Sequence, residues 1–324
     1  MIRFTMAGGE IKLLKIIMIA LSLILILNFI NSLFGNNICC GKKNNTLYVG
    51  GLGIGNYTFI QDAIDNSSVN DTIFVFNGVY NESILIDKSL NLEGFDKNFT
   101  IIQSNHNLYN IYIKSSEVNI SNFTIKNGKM GIYLSNSNYS NNTIYENIFL
   151  DNLEGIRFYK SSNNKIIKNY FSNNIESSIV FYESNNNLIS RNYIEESQKA
   201  FFLGRWSNKN IISKNNFTKN DLSINLDHSF NNLLYENSLR EGTIGIGLSF
   251  SNNNNISDNN LNVFTKYGIY LTNSEENIIL SNNFSNNYID IKEGDKPPSV
   301  KAPGIQMLLA IFAIFIVFLL KIKK

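Results

Sequence analysis

Residues 155–171 read GIRFYKSSNNKIIKNYF, and this phrase decides the fold because the chain repeats it seven times. Each copy follows the pattern Gly-Ile-x-Leu, a polar run, and then Asn-x-Ile-x-x-Asn-x-Phe. The copies open at Gly131, Gly155, Ser178, Ala200, Ser223, Gly245 and Gly268, in steps of 24, 23, 22, 23, 22 and 23 residues. Such a regular period predicts a solenoid, in which each copy is one turn stacked on the previous one.

Four positions of the repeat are apolar in every copy. The first two flank one variable residue, which is the alternation of a strand with one buried face. The four columns are Ile132, Ile156, Ile179, Phe201, Ile224, Ile246 and Ile269; Leu134, Phe158, Phe181, Leu203, Leu226, Leu248 and Leu271; Ile144, Ile166, Ile189, Ile212, Leu234, Ile256 and Ile279; and Phe149, Phe171, Ile194, Phe217, Leu239, Leu261 and Phe284. A disordered Asn-rich tract would lack these columns, and the spacing of a leucine-rich repeat is missing.

Asparagine fills two more columns of the repeat. Asn tolerates the left-handed backbone of a sharp bend, so both columns predict corners. Stacked in register, their amides can bond from one turn to the next. The columns are Asn142, Asn164, Asn187, Asn210, Asn232, Asn254 and Asn277, and Asn147, Asn169, Asn192, Asn215, Asn237, Asn259 and Asn282.

The repeat resembles the right-handed parallel β-helix of the pectin-lyase-like superfamily. It is most similar to NosD-like proteins with their carbohydrate-binding and sugar hydrolysis domain. The earlier segments LYVG (47–50), IQDAI (60–64), DTIFV (71–75) and GVYNE (78–82) share the resemblance, which covers residues 46–290. It implies an all-β, single-stranded right-handed parallel β-helix of about 10–11 rungs. It implies no particular activity, because this fold carries lyases, hydrolases, epimerases, adhesins and inert stalks.

The chain divides into segments by its patterns. Residues 1–36 place basic residues ahead of the apolar run 16–27, which is typical of a signal peptide or signal-anchor helix. Residues 46–107 hold an N-terminal cap and irregular first rungs. A capping helix is predicted over 58–66, with a capping box of Thr58 and Gln61. The regular β-helix repeats occupy residues 108–295.

The C-terminal end predicts a membrane anchor. Residues 296–304 form a Pro-containing linker, 305–320 are apolar except Gln306, and 321–324 are a basic end. This end resembles the Pro-Gly-Phe sorting signals of archaeal surface proteins, with Ile305 where the signal has Phe. Basic residues flank the inner side of both apolar segments, so we expect a hydrophobic helix at each end of the chain, both in contact with membrane lipid. The predicted location is the cell membrane, with the β-helix on the extracellular side.

Composition excludes some classes of partner. The formal net charge is +2, so no strong field favours nucleic acid. The two cysteines, Cys39 and Cys40, are adjacent and lie before the repeat, where they cannot cross-link it. Asn-x-Ser/Thr sequences are frequent, and an extracellular location would permit their glycosylation.

One region of the outward columns gathers aromatic rings, both signs of charge and a histidine. Aromatic faces with charged neighbours suit a sugar chain, so we predict a glycan-binding surface there. Its residues are Arg157, Tyr159, Lys160, Tyr182, Glu183, Arg205, Trp206, Asp227 and His228. An alternative is catalysis by Glu183 and Asp227, two rungs or about 9.6 Å apart, near the upper limit for an inverting glycosidase. A further alternative is a solvated face whose charges pair between rungs, such as Glu183 with Arg205.

A second charged column predicts weak pairs between rungs. It contains Glu146, Lys168, Arg191, Lys214, Glu236 and Asp258. Exposed pairs of this kind stabilise little.

The sequence lacks the signatures of related enzymes. The paired aspartates and Gly-His-Gly of polygalacturonase-like sites, an epimerase Asp-Pro-His and a calcium-binding aspartate cluster are all missing. The copper role attached to the NosD name would need clustered ligands, but His106 and His228 are far apart in sequence. We predict no cofactor or metal, and a structural or adhesive surface protein that contacts glycans. A polysaccharide-active enzyme and a NosD-like assembly or metal-loading factor are the alternatives.

Overall fold

The computed structural model describes residues 45–104 and 108–294. In these ranges the chain forms short strands and one helix, α1 (Ile60–Asn66). The first strands are β1 (Thr46–Val49), β2 (Thr72–Val75), β3 (Gly78–Asn81), β4 (Ile84–Ile86), β5 (Asn91–Gly94), β6 (Thr100–Gln103), β7 (Tyr109–Ile113), β8 (Asn119–Ser121) and β9 (Thr124–Lys126). They are followed by β10 (Met130–Ser135), β11 (Thr143–Tyr145), β12 (Ile148–Leu150), β13 (Glu154–Tyr159), β14 (Lys165–Ile167), β15 (Tyr170–Ser172), β16 (Ser177–Tyr182), β17 (Leu188–Ser190), β18 (Tyr193–Glu195) and β19 (Lys199–Gly204). The last are β20 (Ile211–Ser213), β21 (Asn216–Asp227), β22 (Leu233–Tyr235), β23 (Ser238–Ser249), β24 (Asn255–Ser257), β25 (Asn260–Thr272), β26 (Ile278–Leu280), β27 (Asn283–Ser285) and β28 (Ile289–Glu293).

The strands stack into two parallel sheets. Sheet A takes one strand from each turn, in the order β1-β2-β5-β8-β11-β14-β17-β20-β22-β24-β26. Sheet B takes the other 17 strands of the described ranges, usually two from each turn. In β21, β23 and β25 these two strands merge into one of 12 or 13 residues. The result is a right-handed parallel β-solenoid of about 11 turns, which confirms the predicted β-helix.

The apolar columns form the core in the predicted register. Ile156, Ile179, Phe201 and Ile224 are direct partners on successive strands of sheet B. All four are fully buried. The rings of Phe158 and Phe181 stack with centroids 4.9 Å apart. Burial of such columns is the main stabilising contribution in a coil whose single turns cannot fold alone.

The asparagine columns form the predicted ladders, with one correction. The Oδ1 of Asn192 accepts bonds from the backbone N–H and the Nδ2 of Asn169, at 2.9 and 3.2 Å. Its Nδ2 donates to the carbonyl of Ile166 at 2.9 Å. The left-handed residue of each corner, however, is the one before the ladder residue, such as Arg191 with φ of 57°. The ladder amide must point inward to bond both neighbouring turns, so the exposed residue before it makes the bend.

The helix α1 covers the first turn of the coil, as predicted, but its cap differs. Ile60, Ala63 and Ile64 are fully buried in the core. The predicted Thr58–Gln61 capping box is wrong, because the helix begins at Ile60 and its N-cap residue makes no side-chain bond. Instead, the carboxylate of Glu82 accepts the N–H groups of Ile60 and Gln61, at 2.9 and 3.0 Å. A negative group beside the first N–H groups stabilises a helix whichever part of the chain supplies it.

The charged column forms pairs between turns as predicted. Lys168 bonds Glu146 at 3.1 Å, and Lys214 lies 3.3 Å from Glu236. Both pairs are about half exposed, so each stabilises by less than about 1 kcal/mol.

The predicted segments 1–36, 296–304, 305–320 and 321–324, with both terminal hydrophobic helices, lie outside the described residues and stay predictions. Within the described residues, no helix has the length and hydropathy needed to cross a bilayer.

Candidate functional site

The predicted surface lies where sheet B ends and the chain turns toward sheet A. The residues that end the strands are register partners on successive turns, namely Tyr159, Tyr182, Gly204 and Asp227. The residue after each of them has a left-handed backbone, in the order Lys160, Glu183, Arg205 and His228. The structure therefore brings these positions into one file over four turns. We call this file, together with Trp206, the Trp206 corner.

Trp206 is an extra residue in its turn. In the preceding turn Glu183 alone separates the strand from Ser184, whereas here two residues, Arg205 and Trp206, precede Ser207. The insertion leaves the serine contact intact, because the N–H of Ser184 still donates to Oγ of Ser207 at 3.3 Å. Arg205 and Trp206 both have positive φ, and Trp206 is 59% exposed. The extra residue thus presents the only tryptophan of the chain to solvent.

Serines at this corner form a ladder that sequence reasoning missed. The backbone N–H of each serine except the last donates to the hydroxyl oxygen of the serine in the next turn, with donor–acceptor distances of 3.0–3.3 Å. Its members are Ser161, Ser184, Ser207, Ser229, Ser251 and Ser274. The signal was available, because each serine stands three residues before a ladder asparagine.

Cationic groups lie over aromatic faces beside the corner. The guanidinium of Arg157 is 5.6 Å from the ring centroid of Tyr182. The ammonium of Lys160 is 5.2 Å from the ring of Tyr159. These are cation–π distances, which fix the positions of both the rings and the charges. Such a surface offers flat apolar faces and hydrogen-bond donors side by side.

The aromatic surface continues along sheet B. The outward row beside the corner contains Tyr112 and Tyr133, whose ring centroids are 5.1 Å apart, and then Arg157. Further along, Phe202 meets Tyr182 edge to face at 5.6 Å. The row lies on the same face as the corner, so a ligand running along the coil would contact both.

The charged residues of the corner pair differently from the prediction. The predicted Glu183–Arg205 pair is wrong, because the carboxylate of Glu183 lies 3.6 Å from the ammonium of Lys160, one turn earlier. Arg205 forms no ion pair within the described part of the chain. Asp227 and His228 bond each other through Oδ1 and Nδ1 at 2.8 Å. The exposed guanidinium of Arg205 is therefore free to bind a ligand.

The position of Glu154 is a feature that sequence reasoning missed. This residue begins β13, and its side chain is 7% exposed. One oxygen bonds the guanidinium of Arg157, while Oε2 and the Nε of Arg157 are buried and have no hydrogen-bond partner among the described residues. Burial raises the pKa of the Glu154 carboxyl, although the bond and charge of Arg157 act in the opposite direction. The repeat pattern does not reveal this burial, since Met130 and Ser177 hold the same register position as Glu154.

The raised pKa of Glu154 predicts a pH-dependent stability. The carboxyl holds its proton more tightly in the folded than in the unfolded chain. Its stabilising effect is therefore complete below the ordinary Glu pKa and is lost as the pH rises through the higher folded value. We expect the melting temperature of Glu154→Gln, relative to the native chain, to increase from about pH 4 to about pH 7. Thermal unfolding across this range measures it.

The matched control for this prediction is Glu176→Gln, an exposed carboxylate near the same group. Because the charge of Glu176 is the smallest of the causes that act on the pKa of Glu154, this variant should change the pH profile far less than Glu154→Gln does. An identical profile for Glu154→Gln and the native chain would contradict the expectation.

The two predicted catalytic carboxylates occupy separate contacts. Glu183 is paired with Lys160, and Asp227 is bonded to His228. Tyr182 and Asp227 stand two register steps apart, so Glu183 and Asp227 are separated by about two rungs, or about 9.6 Å along the axis. Catalysis by this pair stays a prediction.

Comparison with known families identifies the chain. The model of "Periplasmic copper-binding protein (NosD)" matches residues 64–244 and 207–296, which is more than half of the sequence. The chain belongs to the NosD family. The resemblance seen in the repeat is thereby confirmed.

Individual relatives match over a short part of the chain or at low sequence identity. A cell surface glycoprotein of Methanothermus fervidus is 39% identical over 103 residues, which cover 30% of this chain and 17% of that protein. The matched part is therefore a small share of the glycoprotein's length. Among solved structures, a mutant DFA-IIIase of Arthrobacter chlorophenolicus A6 matches with a TM-score of 0.61 and 15% identity, covering 82% of this chain and 89% of that one. The polygalacturonase of Erwinia carotovora ssp. carotovora matches with a TM-score of 0.59 and 11% identity, covering 81% and 98%. At these identities both structures show the fold alone.

The NosD description names copper, but the described residues do not fit a copper site. Copper in proteins takes imidazole, thiolate or thioether ligands. The single histidine of the described ranges, His228, bonds Asp227 and stacks on Phe250. Across residues 45–104 and 108–294, no three His, Cys, Asp or Glu side chains gather closely enough to hold a metal ion.

Proposed function

We propose that this NosD-family protein is exported to the cell surface and has a structural or adhesive role, binding glycan chains at the Trp206 corner. The family description supports export because it names a periplasmic protein. The partial match to a cell surface glycoprotein supports the same location. The two solved β-helix structures named above share the fold and do not decide the activity.

The observation that carries this proposal is the exposed indole of Trp206. A bulky residue with positive φ is strained, and Trp206 is a second such residue in a corner where the neighbouring turns have one. Leaving an indole 59% exposed also forgoes the stabilisation that its burial would give. The hydrogen bond between Ser184 and Ser207 matches those of the neighbouring turns, which lack the extra residue, so packing of the coil does not explain Trp206. Contact with a ligand would explain it.

The surrounding groups specify the chemistry of the ligand. Sugar rings present apolar faces that pack on aromatic rings and hydroxyls that bond charged groups. Tyr159 and Tyr182 are one turn apart, and the spacing of stacked strands is about 4.8 Å. A polysaccharide lying along the coil axis would therefore meet a ring or a charge at each turn. The unpaired Arg205 adds a planar donor suited to hydroxyl or carboxylate oxygens.

Substitution of Trp206 is expected to abolish most of the binding. Truncating a tryptophan at the centre of a binding surface typically costs about 2 kcal/mol or more, which is roughly 30-fold in Kd. We expect Trp206→Ala to weaken binding by at least that factor while the melting temperature stays within a few degrees of the native value. The measurement is a glycan array on the purified full chain, followed by titration of the best glycan.

The control is Tyr288→Ala, which removes a ring that is 78% exposed in the last turn, and should leave binding intact. Unchanged affinity in Trp206→Ala would refute the proposal. Detection of new reducing ends on the same glycans tests the alternative that the protein is a polysaccharide-active enzyme. Release of new ends that is lost in Glu183→Gln would establish catalysis in place of simple binding.

We further propose that the terminal segments attach the protein to membrane lipid. The support is the apolar composition of residues 16–27 and 305–320 and the basic residues that flank them. We expect the full chain to stay in the membrane fraction after a carbonate wash and to be released by detergent. Recovery in the carbonate supernatant would count against a membrane anchor.

A further inference from the structure

Asn-x-Ser/Thr sequences are unevenly spread along the coil. The chain has thirteen, at Asn44, Asn56, Asn66, Asn70, Asn81, Asn98, Asn119, Asn122, Asn138, Asn141, Asn216, Asn255 and Asn283. Ten of the thirteen precede residue 142, and none lies between residues 142 and 215. The stretch 142–215, which carries Glu154, Arg157 and Trp206, therefore contains no such sequence.

Three of these asparagines are partly buried strand residues. Asn119 lies in sheet A and donates its Nδ2 to Asn91 at 2.8 Å. Asn255 is also in sheet A, and its side-chain oxygen is buried. Asn216 begins β21 and accepts a bond from the hydroxyl of Thr218, which is itself 2% exposed. A glycan on Asn119 would have to break its bond to Asn91, and Asn216 and Asn255 are only partly exposed within their strands.

Four others are exposed and have an unused amide nitrogen. Asn138 and Asn141 lie in the corner between β10 and β11, and neither side chain forms a hydrogen bond within the described residues. Asn70 and Asn81 use only their Oδ1, which accepts bonds from Ser89 and Gln103 at 2.8 and 2.7 Å. All four side chains are exposed, and none of their Nδ2 atoms donates to an acceptor among the residues that the structure describes.

We propose that Asn70, Asn81, Asn138 and Asn141 carry N-linked glycans. The donor would be an oligosaccharide linked through C1 to a lipid phosphate or diphosphate. The Nδ2 of asparagine forms a bond to C1, the bond from C1 to the phosphate oxygen breaks, the lipid phosphate leaves, and the amide loses one proton. The sites need an exposed asparagine, an Nδ2 that bonds none of the described residues, and a hydroxyl two residues later, which all four have.

These glycans would lie in the turns before the Trp206 corner, and those on Asn138 and Asn141 would be in the turn next to Tyr159. Asn70 and Asn141 precede Thr72 and Thr143 by two residues, and those threonines belong to one register row of sheet A, three steps apart. At the strand spacing, that distance is about 14 Å along the coil. The inference rests on the export part of the proposed function but not on glycan binding.

The test is glycopeptide mass spectrometry on the protein purified from its source cells. We expect sugar mass on the peptides that contain Asn70, Asn81, Asn138 and Asn141, and none on those with Asn119, Asn216 or Asn255. Two variants expressed in the same cells separate the neighbouring sites. Asn141→Asp keeps a residue that tolerates positive φ, and Ser140→Ala removes only the hydroxyl needed by Asn138. Each should lose one glycan and keep the other three.

Sugar on Asn119, Asn216 or Asn255 of the folded protein would overturn the structural argument, and four bare sites would overturn the proposal. If the four sites carry no glycan, digestion of intact cells with an external protease shows whether the protein is nevertheless exported. If the protein carries no glycan but is cleaved on intact cells, the proposed surface location stands and only the glycosylation is refuted. If it carries no glycan and is protected from the protease, both the location and the glycosylation are refuted.

Discussion

Phe181→Ala should lower the stability of the coil by about 3–5 kcal/mol, the usual cost of emptying a fully buried phenylalanine position. Its ring is buried, stacks on Phe158 at 4.9 Å and meets Phe201 edge to face at 5.2 Å. The substitution therefore leaves a cavity between two other rings and removes two aromatic contacts. For a domain of this size we expect the melting temperature to fall by roughly 6–20 °C. Thermal unfolding followed by circular dichroism measures it.

The matched control for Phe181→Ala is Phe99→Ala, because Phe99 is 62% exposed. Its melting temperature should change by only a few degrees. Equal losses for the two variants would mean that the stacked column is not the main source of stability.

Asn192→Leu should destabilise the coil by roughly 2–6 kcal/mol, although the new side chain has a similar size. The replacement leaves the N–H of Asn169 and the carbonyl of Ile166 without their side-chain partner in a buried corner. Each buried polar group without a partner costs about 1–3 kcal/mol. Because each turn of a solenoid contacts only its neighbours, the defect also weakens the coupling between the turns on either side. Urea unfolding should show a lower midpoint and, if the halves separate, a broader transition.

Asn138→Leu is the control for this variant. Asn138 is exposed, and its side chain makes no hydrogen bond in the described part of the chain. A change within about 0.5 kcal/mol is expected. A comparable loss in the control would show that the asparagine ladder has no special role.

The repeat predicted the core of the fold because its physical cause is local and periodic. A column such as Ile156, Ile179 and Phe201 can be read from spacing alone, since stacking equal turns places equal positions in contact. The amide ladders follow from the same rule. The corner geometry was not predictable in this way, because both the ladder residue and the residue before it are polar. Burial of the ladder amide decides that the residue before it adopts the left-handed backbone.

The candidate site was predictable in position but not in its contacts. Turn spacing placed Tyr182, Glu183 and Asp227 on one file, and the strand register agrees. The partner of Glu183 depended on the reach of flexible side chains, which the repeat does not determine. Glu154 was missed because its burial arises from the neighbouring strands and not from its own sequence position.

The intact serine contact beside Trp206 has a consequence for how such chains diversify. A corner that accepts one additional residue without loss of its neighbouring bond can accept other residues there as well. Ligand recognition can then change through short insertions at the corner of a single turn, while the apolar core and the asparagine ladders stay the same. We expect proteins that share this core but differ in their inserted corner residues to bind different ligands.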